Sequence, residues 1–445
     1  MSERETWATR AGFILAAVGS AVGLGNIWQF PFKTAQFGGA SFLVVYLIAV
    51  FGIGLPAILA EFVIGRRAKL NAISAFGRIG HRQWRFVGAL GLLTGFWILS
   101  YYSVVGGWVI RYIWGSLQGA YFGDPATYFG AVSAGLDAVA LHAVFMFLCV
   151  VIVALGIEDG IEKATKVMVP SIVVILLGLA VYGTTLSGAT AGYDYFLSPD
   201  FGALMSNLGD IVPFAVGQAF FSLSLGMGAM ITYASYIDRD DSLVADGSTI
   251  VVLNTFVGVL AGFVVFPLLF AQGIDPNTSG PGAVFVSVAG AFANIPAGRI
   301  VGLVFFLVVL IAALSSAISL LEVVTSYVID NYDVGRAPTA AAIGVSLFVL
   351  GLPSALDTAW LGWFDTLAYQ LLLPVSVLLV LLFVGWVLGD EALSEVLKGA
   401  GVGNGFGVTW LWMVRIVVIL AVLGTLALGI QTLFLGSEPA IVPPL

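Results

Sequence analysis

Apolar runs of about 20 residues follow one another along the whole chain, and a helical run of that length crosses roughly 30 Å of hydrocarbon. Eleven such windows can be drawn, at 11–36, 41–65, 86–116, 141–157, 164–186, 210–236, 244–272, 298–329, 339–352, 364–389 and 409–435, here called spans 1 to 11. In lipid every backbone polar group needs a partner within the protein, so such runs fold as helices. Hydrophobic residues make up 60% of the 445 positions and charged residues 9%, more apolar surface than a soluble domain can bury. The chain reads as an all-α polytopic membrane protein. Its first run leads straight into further spans and lacks the short apolar core and small-residue cleavage site of a secretory signal. No linker or composition shift divides residues 1–445, so a single transmembrane unit is expected.

The basic residues orient the spans. Arg66, Arg67, Lys69, Arg78, Arg82 and Arg85 crowd the loop after span 2. Lys163 and Lys166 follow span 4, Arg239 span 6, Arg336 span 8 and Lys398 span 10. All of these fall on one side with Arg4 and Arg10, leaving only Lys33, Arg111 and Arg299 towards the other. The positive-inside rule then predicts a cytoplasmic N-terminus and, for eleven spans, an extracellular C-terminus. The net charge of −8 comes from acidic loops such as "DRDD" (238–241) and "GDEALSE" (389–395), which read as solvated surface or as adaptation to a salt-rich cytoplasm. Nothing in the pattern points to nucleic acid, and the sequence does not fix an oligomeric state.

Several chemistries are disfavoured. Cys149 is the only cysteine, so no intrachain disulfide can form. His81 and His142 are the only histidines, one in a basic loop and the other at the start of a span, against a histidine metal site or a Ser-His-Asp arrangement. No Gly-rich run ending in GK[ST] suggests ATP as the energy source. No nucleophile–base pair marks an enzyme.

What the spans do carry is polar interruption. "GSAVGLGNIWQFP" (19–31) places three glycines, Ser20, Asn26 and Gln29 inside span 1, and "SLGMG" (224–228) interrupts span 6 below Pro213. If spans 1–5 (about 11–186) and 6–10 (about 210–389) are two halves, with an extra helix at about 409–435, both breaks fall in the first helix of a half. Paired interruptions of that kind mark an inverted-repeat transporter with its site at the midplane. Unwound turns free carbonyls for cations, and half-helix N-termini offer N–H groups to an anion. A small zwitterion needs both, and a hard cation such as sodium needs oxygens, here those of Asn26, Ser222 and Asn254 with carbonyls. The bland alternative is close helix packing through small residues. The outer segment 273–297 is too apolar for a simple loop and is expected to fold back as a short helical lid, and "NTS" (277–279) fits a glycosylation sequon.

"WATRAGFILAAVGSAVGLGNIWQFPF" (7–32), "GQAFFSLSLGMGAMITYASY" (217–236), "GPGAVF" (280–285) and "IPAGRIVGLVFF" (295–306) resemble the first helix, sixth helix, outer lid and start of the eighth helix of the neurotransmitter:sodium symporter family. The resemblance covers nearly the whole chain, in the eleven-span form of prokaryotic relatives in the cell membrane. It implies the leucine-transporter-like 5+5 inverted-repeat fold with helices 1 and 6 unwound. It also implies two sodium sites. The first would use the Ala21 carbonyl, Asn26, Ser222 and Asn254, completed by the substrate carboxylate, so that ion and substrate raise each other's affinity. The second would use carbonyls of Gly19, Val22 and Ala312 with the hydroxyls of Ser315 and Ser316. Substrate would be held by the N–H groups of Leu24 and Gly25 and the Tyr102 hydroxyl at its carboxylate. Carbonyls of Ala21, Phe221 and Ser224 would meet its ammonium, beside Ser222. Ile98, Met227, Ser316 and Leu320 would line the side-chain pocket, Met227 as an adaptable thioether.

Gly23 stands where monoamine carriers of the family place an aspartate, which argues for amino acids, and the uncharged lining favours hydrophobic L-amino acids. At the inner gate Arg4, Trp7, Ser235, Tyr236 and Asp330 match the family, implying an Arg4–Asp330 pair. At the outer gate the family arginine is replaced by Gln29, and the second acid beyond Asp365 by Ala368, so closure is expected from Phe221 and Tyr102. The chloride positions Tyr46, Gln218, Ser222 and Asn254 are present, but Gly258 matches neither the serine of chloride-dependent relatives nor the carboxylate of independent ones, so chloride dependence is open. Glu61 and Glu322 are ionisable residues within spans and functional candidates on that ground. The expected activity is sodium-coupled amino-acid symport by alternating access, spans 1, 2, 6 and 7 rocking against 3, 4, 8 and 9. Alternatives are a proton-coupled carrier of the same architecture and, more distantly, an ion channel.

Overall fold

The computed structural model describes residues 7–237, 241–274, 276, 284–435 and 440–444. Among these residues there is no strand. Among the described residues nine helices are long and apolar enough to cross a membrane: Ala40–Ala68, Arg82–Gln118, Leu136–Ala154, Ile157–Thr184, Leu243–Ala271, Gly298–Asn331, Arg336–Leu356, Thr358–Leu388 and Asn404–Leu435. They correspond to the expected spans 2–5 and 7–11, and the protein is a multi-pass membrane protein.

The other two windows are broken. Span 1 consists of Arg10–Ala21 and Gly25–Gln36, which meet at 48°. Thr9 starts the first piece, its Oγ1 accepting from the Gly12 amide at 2.9 Å. Span 6 consists of Leu208–Ser222 and Ala229–Ala234, so neither piece alone is long enough to span. The turn between them carries positive φ at Ser224 (+53°), Gly226 (+76°) and Gly228 (+72°), a region that glycine enters without the steric cost a Cβ brings. The turn also frees backbone donors at bilayer depth, and leaving one buried without a partner costs about 1–3 kcal/mol. Glu61, from span 2, accepts the Gly226 amide at 2.7 Å and so satisfies one of them.

The broken helices lie against two unbroken ones, spans 3 and 8, which carry buried residues over most of their length. Glycines set the close approaches: a Cβ on Gly95 would lie 3.0 Å from the Met227 carbonyl, and one on Gly91 3.2 Å from the Gly228 nitrogen. Span 3 is thereby seated directly on the break in span 6. Of the expected outer lid, Val284–Val288 and Ala289–Phe292 are helical, and the described residues after them, 293–297, are turn and bend. Its "GPG" and the sequon fall outside the described residues.

Candidate functional site

The two breaks face each other around a small cavity lined by Ser20, Ala21, Gly23 and Gly25 of span 1, Phe221, Ser224 and Met227 of span 6, Ile98 and Tyr102 of span 3, and Ser316 and Leu320 of span 8. Of the residues expected to meet substrate, Ala21, Gly25, Ile98, Tyr102, Phe221, Ser224, Met227, Ser316 and Leu320 all line it. Leu24 and Ser222 do not. Leu24 contributes its amide, which donates to the Tyr102 hydroxyl at 3.1 Å, and Ser222 lies in the neighbouring oxygen cluster. No charged side chain lines the cavity. Its volume of about 20 Å³ is room for little more than a water molecule, so an amino acid requires Phe221, Met227 or Leu320 to withdraw.

Two oxygen clusters flank the cavity. In the first, one terminal atom of the Asn254 carboxamide lies 3.0 Å from the Ser222 carbonyl oxygen, 3.2 Å from that of Ala21 and 2.9 Å from Asn26 Nδ2. As oxygen it accepts from Asn26 Nδ2 and lies beside the two carbonyl oxygens, an arrangement that a shared cation stabilises; as nitrogen it would donate to both carbonyls but face the Asn26 amino group. Asn26 Oδ1 accepts from the Gly23 amide at 3.3 Å, capping the second half of span 1. The expected first sodium set is therefore gathered in one place. In the second cluster Ser315 Oγ donates to the carbonyls of Val22 (3.1 Å) and Ala312 (2.9 Å), and Ser316 Oγ lies 3.4 Å from the Gly19 carbonyl. All five expected members of the second set are gathered there.

Helix ends supply the electrostatics. The Gly19 and Val22 carbonyls at the C-terminal end of the first half-helix meet the second cluster, and the Leu24 amide at the N-terminal end of the second half-helix meets the Tyr102 hydroxyl at the cavity. The first is the negative and the second the positive end of a helix dipole. The arrangement suits cations on one side and a carboxylate on the other.

Sequence reasoning missed Ser20 as a lining residue, and read Gly23 only for the aspartate it lacks. Ser20 works through its carbonyl, which accepts from Ser224 Oγ and Ser316 Oγ at 2.8 Å each, while its hydroxyl donates to Ser319 Oγ at 2.7 Å. A carbonyl role leaves no signal in residue identity. Gly23 is lining because it can bear nothing: a Cβ there would overlap Ser316 Oγ and lie 2.8 Å from the Tyr102 hydroxyl.

At the chloride positions Tyr46 and Ser222 exchange a hydrogen bond of 3.1 Å. Gln218 Nε2 donates to the Gly25 carbonyl at 2.9 Å, while its Oε1 is buried without a partner. A Cβ on Gly258 would meet nothing closer than Asn26 Nδ2 at 3.5 Å, so this position has room for a side chain that the sequence does not supply.

On the face bearing the chain's N-terminal side, Trp7 donates to the Tyr233 carbonyl at 3.2 Å and packs edge-on against Tyr233 and Tyr236. Tyr236 donates to Glu322 (3.0 Å), whose other oxygen meets Arg336 (2.6 Å). Ser235 donates within its own turn, to the Thr232 carbonyl. Asp330 accepts from Asn71 Nδ2 at 2.9 Å; Arg4, its expected partner, lies outside the described residues. On the opposite face Tyr101 donates to Asp365 at 3.0 Å, and Gln29 is buried with its Oε1 unpartnered. Phe221 packs against Tyr369, ring centroids 6.3 Å apart, so the expected closure by Phe221 and Tyr102 draws in a third ring.

Comparison with known proteins agrees with this geometry. The model of the sodium:neurotransmitter symporter family matches residues 4–122 and 130–435. The sodium-dependent transporter YhdH of Bacillus subtilis is 34% identical over 443 residues, 95% of this chain and 97% of that protein. The sodium-dependent transporter MJ1319 of Methanocaldococcus jannaschii is 35% identical, over 88% of this chain and 84% of its own. Among solved structures, that of MhsT in complex with L-phenylalanine superposes with a TM-score of 0.86 at 39% identity, covering 96% of this chain and 99% of that one. The family and structural neighbours are transporters, not enzymes. The chain belongs to the sodium:neurotransmitter symporter family.

Proposed function

We propose that this protein is a sodium-coupled symporter of hydrophobic L-amino acids that works by alternating access, with two sodium ions bound beside one substrate. The observation that carries the reading is the pair of oxygen clusters, both free of carboxylates, on either side of an uncharged cavity. A cation at the cluster of Ala21, Asn26, Ser222 and Asn254 has no protein charge to balance it there, so the substrate's own carboxylate raises its affinity, and the reverse holds to the same degree. At the second cluster the Ser315 and Ser316 hydroxyls would turn their lone pairs from carbonyl partners to the ion.

Gly23 supports the substrate class. A Cβ there would crowd Ser316 Oγ and the Tyr102 hydroxyl, so the position carries no acid and the anion facing the Leu24 and Gly25 amides arrives with the substrate. The L-phenylalanine held by MhsT fits the apolar walls of Ile98, Met227 and Leu320. In this reading the halves 11–186 and 210–389 form the repeats, spans 1, 2, 6 and 7 rock against 3, 4, 8 and 9, and the N-terminus is cytoplasmic.

A proton-coupled carrier remains the second reading on one observation: Glu61 sits on the span 6 break with its Oε2 buried and unpartnered. Binding of radiolabelled leucine and tryptophan to purified protein, in NaCl against KCl at matched ionic strength, separates the two. Binding only with sodium is expected; equal binding in both salts would overturn sodium coupling and favour Glu61. Uptake in gluconate medium decides whether the open position at Gly258 has removed a need for chloride.

A further inference from the structure

Far from the central cavity, spans 10 and 11 meet at a cation that no carboxylate accompanies. Arg415 lies on span 11 within a segment of wide turns, Met413–Val417, opposite a second such segment, Phe383–Leu388, at the end of span 10. Its Nε donates to the Gly385 carbonyl at 2.7 Å. Among the described residues neither terminal nitrogen has an acceptor, and no acidic side chain pairs with it. The guanidinium lies between two indoles, 5.5 Å from the Trp386 ring and 5.2 Å from that of Trp412.

Three features say what faces this group. The surface around it is lipid-facing: Trp386, Trp412, Ile416, Val417 and Leu420 are exposed apolar residues of helices that cross the bilayer. Its depth is that of a membrane boundary. The guanidinium is level with the last turn of span 10, because a Cβ on Gly389, just past that helix, would lie 3.3 Å from Arg415 Nη2. Two exposed tryptophans at that level form the aromatic belt expected where hydrocarbon meets headgroups. Finally, the approach is built in: a Cβ on Gly385 would press on Arg415 Cγ at 3.2 Å, so glycine at this position lets the arginine reach the carbonyl.

We propose that Arg415, walled by Trp386 and Trp412, is a binding site for the phosphate of an anionic phospholipid. The site lies on the membrane face that also carries Arg66 and Arg67, since the helix directly after span 10, Asp390–Leu397, pairs with both of those arginines. A guanidinium at this depth needs a counter-charge. The protein gives it one carbonyl, and its free edge presents a planar donor pair that matches two phosphate oxygens. The lipid chains would then lie along the exposed faces of Trp412, Ile416 and Leu420.

The test uses purified full-length protein in uncharged detergent, titrated with phosphatidylglycerol, with phosphatidylcholine of the same chains, and with inorganic phosphate, while bound lipid is counted by native mass spectrometry. Wild type is expected to retain phosphatidylglycerol over phosphatidylcholine. R415Q is expected to bind it about tenfold more weakly, the usual order for losing a charge-assisted contact. The double variant Trp386→Leu/Trp412→Leu alters exposed positions only and serves if R415Q does not fold; it should lower the same preference by several-fold. No preference in wild type, or an equal preference in the variants, overturns the site. Competition by millimolar inorganic phosphate as effective as by the lipid overturns the lipid as its occupant.

Discussion

The two faces of this transporter close by different physics. On the face of the N-terminal segment, closure runs through buried charge. Glu322 is wholly buried and bridges Tyr236 and Arg336. Glu162 accepts the Ala8 amide at 2.8 Å and the Thr9 hydroxyl at 3.0 Å, and Lys166 at 2.6 Å. Arg10 reaches the buried Asp246 at 2.6 Å. On the opposite face closure runs through rings and neutral groups: Phe221 against Tyr369, Tyr369 donating to the Phe214 carbonyl at 3.1 Å, and Trp97 stacked on Phe364 at 4.2 Å. Among the described residues its buried carboxylate is Asp365, which accepts from Tyr101 and also feels the charge of Lys33. Charge-assisted bonds are roughly twice as strong as neutral ones. Opening the ring-closed face parts mostly rings and neutral groups, whereas opening the charged face breaks charge-assisted hydrogen bonds, from Tyr236 to Glu322 and from Ala8 and Thr9 to Glu162. In the orientation proposed above, the ring-closed face is the outer one and the easier one to open.

That contrast can be broken from its strongest member downward. Glu322→Ala removes the acceptor of Tyr236 and the ion-pair partner of Arg336, at a cost of about 3–5 kcal/mol for a buried pair losing one partner. A cysteine introduced at the buried Thr232, in a Cys149→Ser background, should then alkylate far faster from the N-terminal face; an unchanged rate would mean that the Tyr236–Glu322 contact does not hold this face shut. Glu162→Gln keeps an acceptor for Ala8 and Thr9 but removes the ion pair with Lys166. The same assay should show a smaller rise, of order 1 kcal/mol.

On the outer face the expected effects are lower still. Asp365→Asn retains a hydrogen bond to Tyr101 and should change outward opening by about 0.5–1 kcal/mol, read as labelling from the outside. A change as large as that of Glu322→Ala would show that the outer face depends on charge after all. Gln29→Ala is the smallest: its Oε1 has no partner to lose, so substrate dissociation should quicken only about two- to threefold. Dissociation at the wild-type rate would remove Gln29 from the closure.

Much of this protein was legible in its sequence, because lipid is a strict solvent. The span windows and the two broken helices follow from hydrophobic length and from glycine at turns that need positive φ. The residue types of both oxygen clusters and most of the cavity lining followed from the family resemblance. What sequence could not supply is rotation and contact. These spans are apolar on nearly every side, so no amphipathic stripe says which face turns inward.

For that reason only the tertiary structure decided that the Ser20 carbonyl, rather than its hydroxyl, faces Ser224 and Ser316, and that Gly23 is hemmed in by Ser316 and Tyr102. The same holds for Glu162, which reaches across 153 residues to clamp Thr9, and for Arg415, whose two tryptophans belong to different helices. The sequence by itself determined that the chain spans a membrane and where its helices must break, since both are costs counted residue by residue along the backbone. Which groups meet across those breaks was decided by helix packing, whose geometry is set by side chains far apart in the chain.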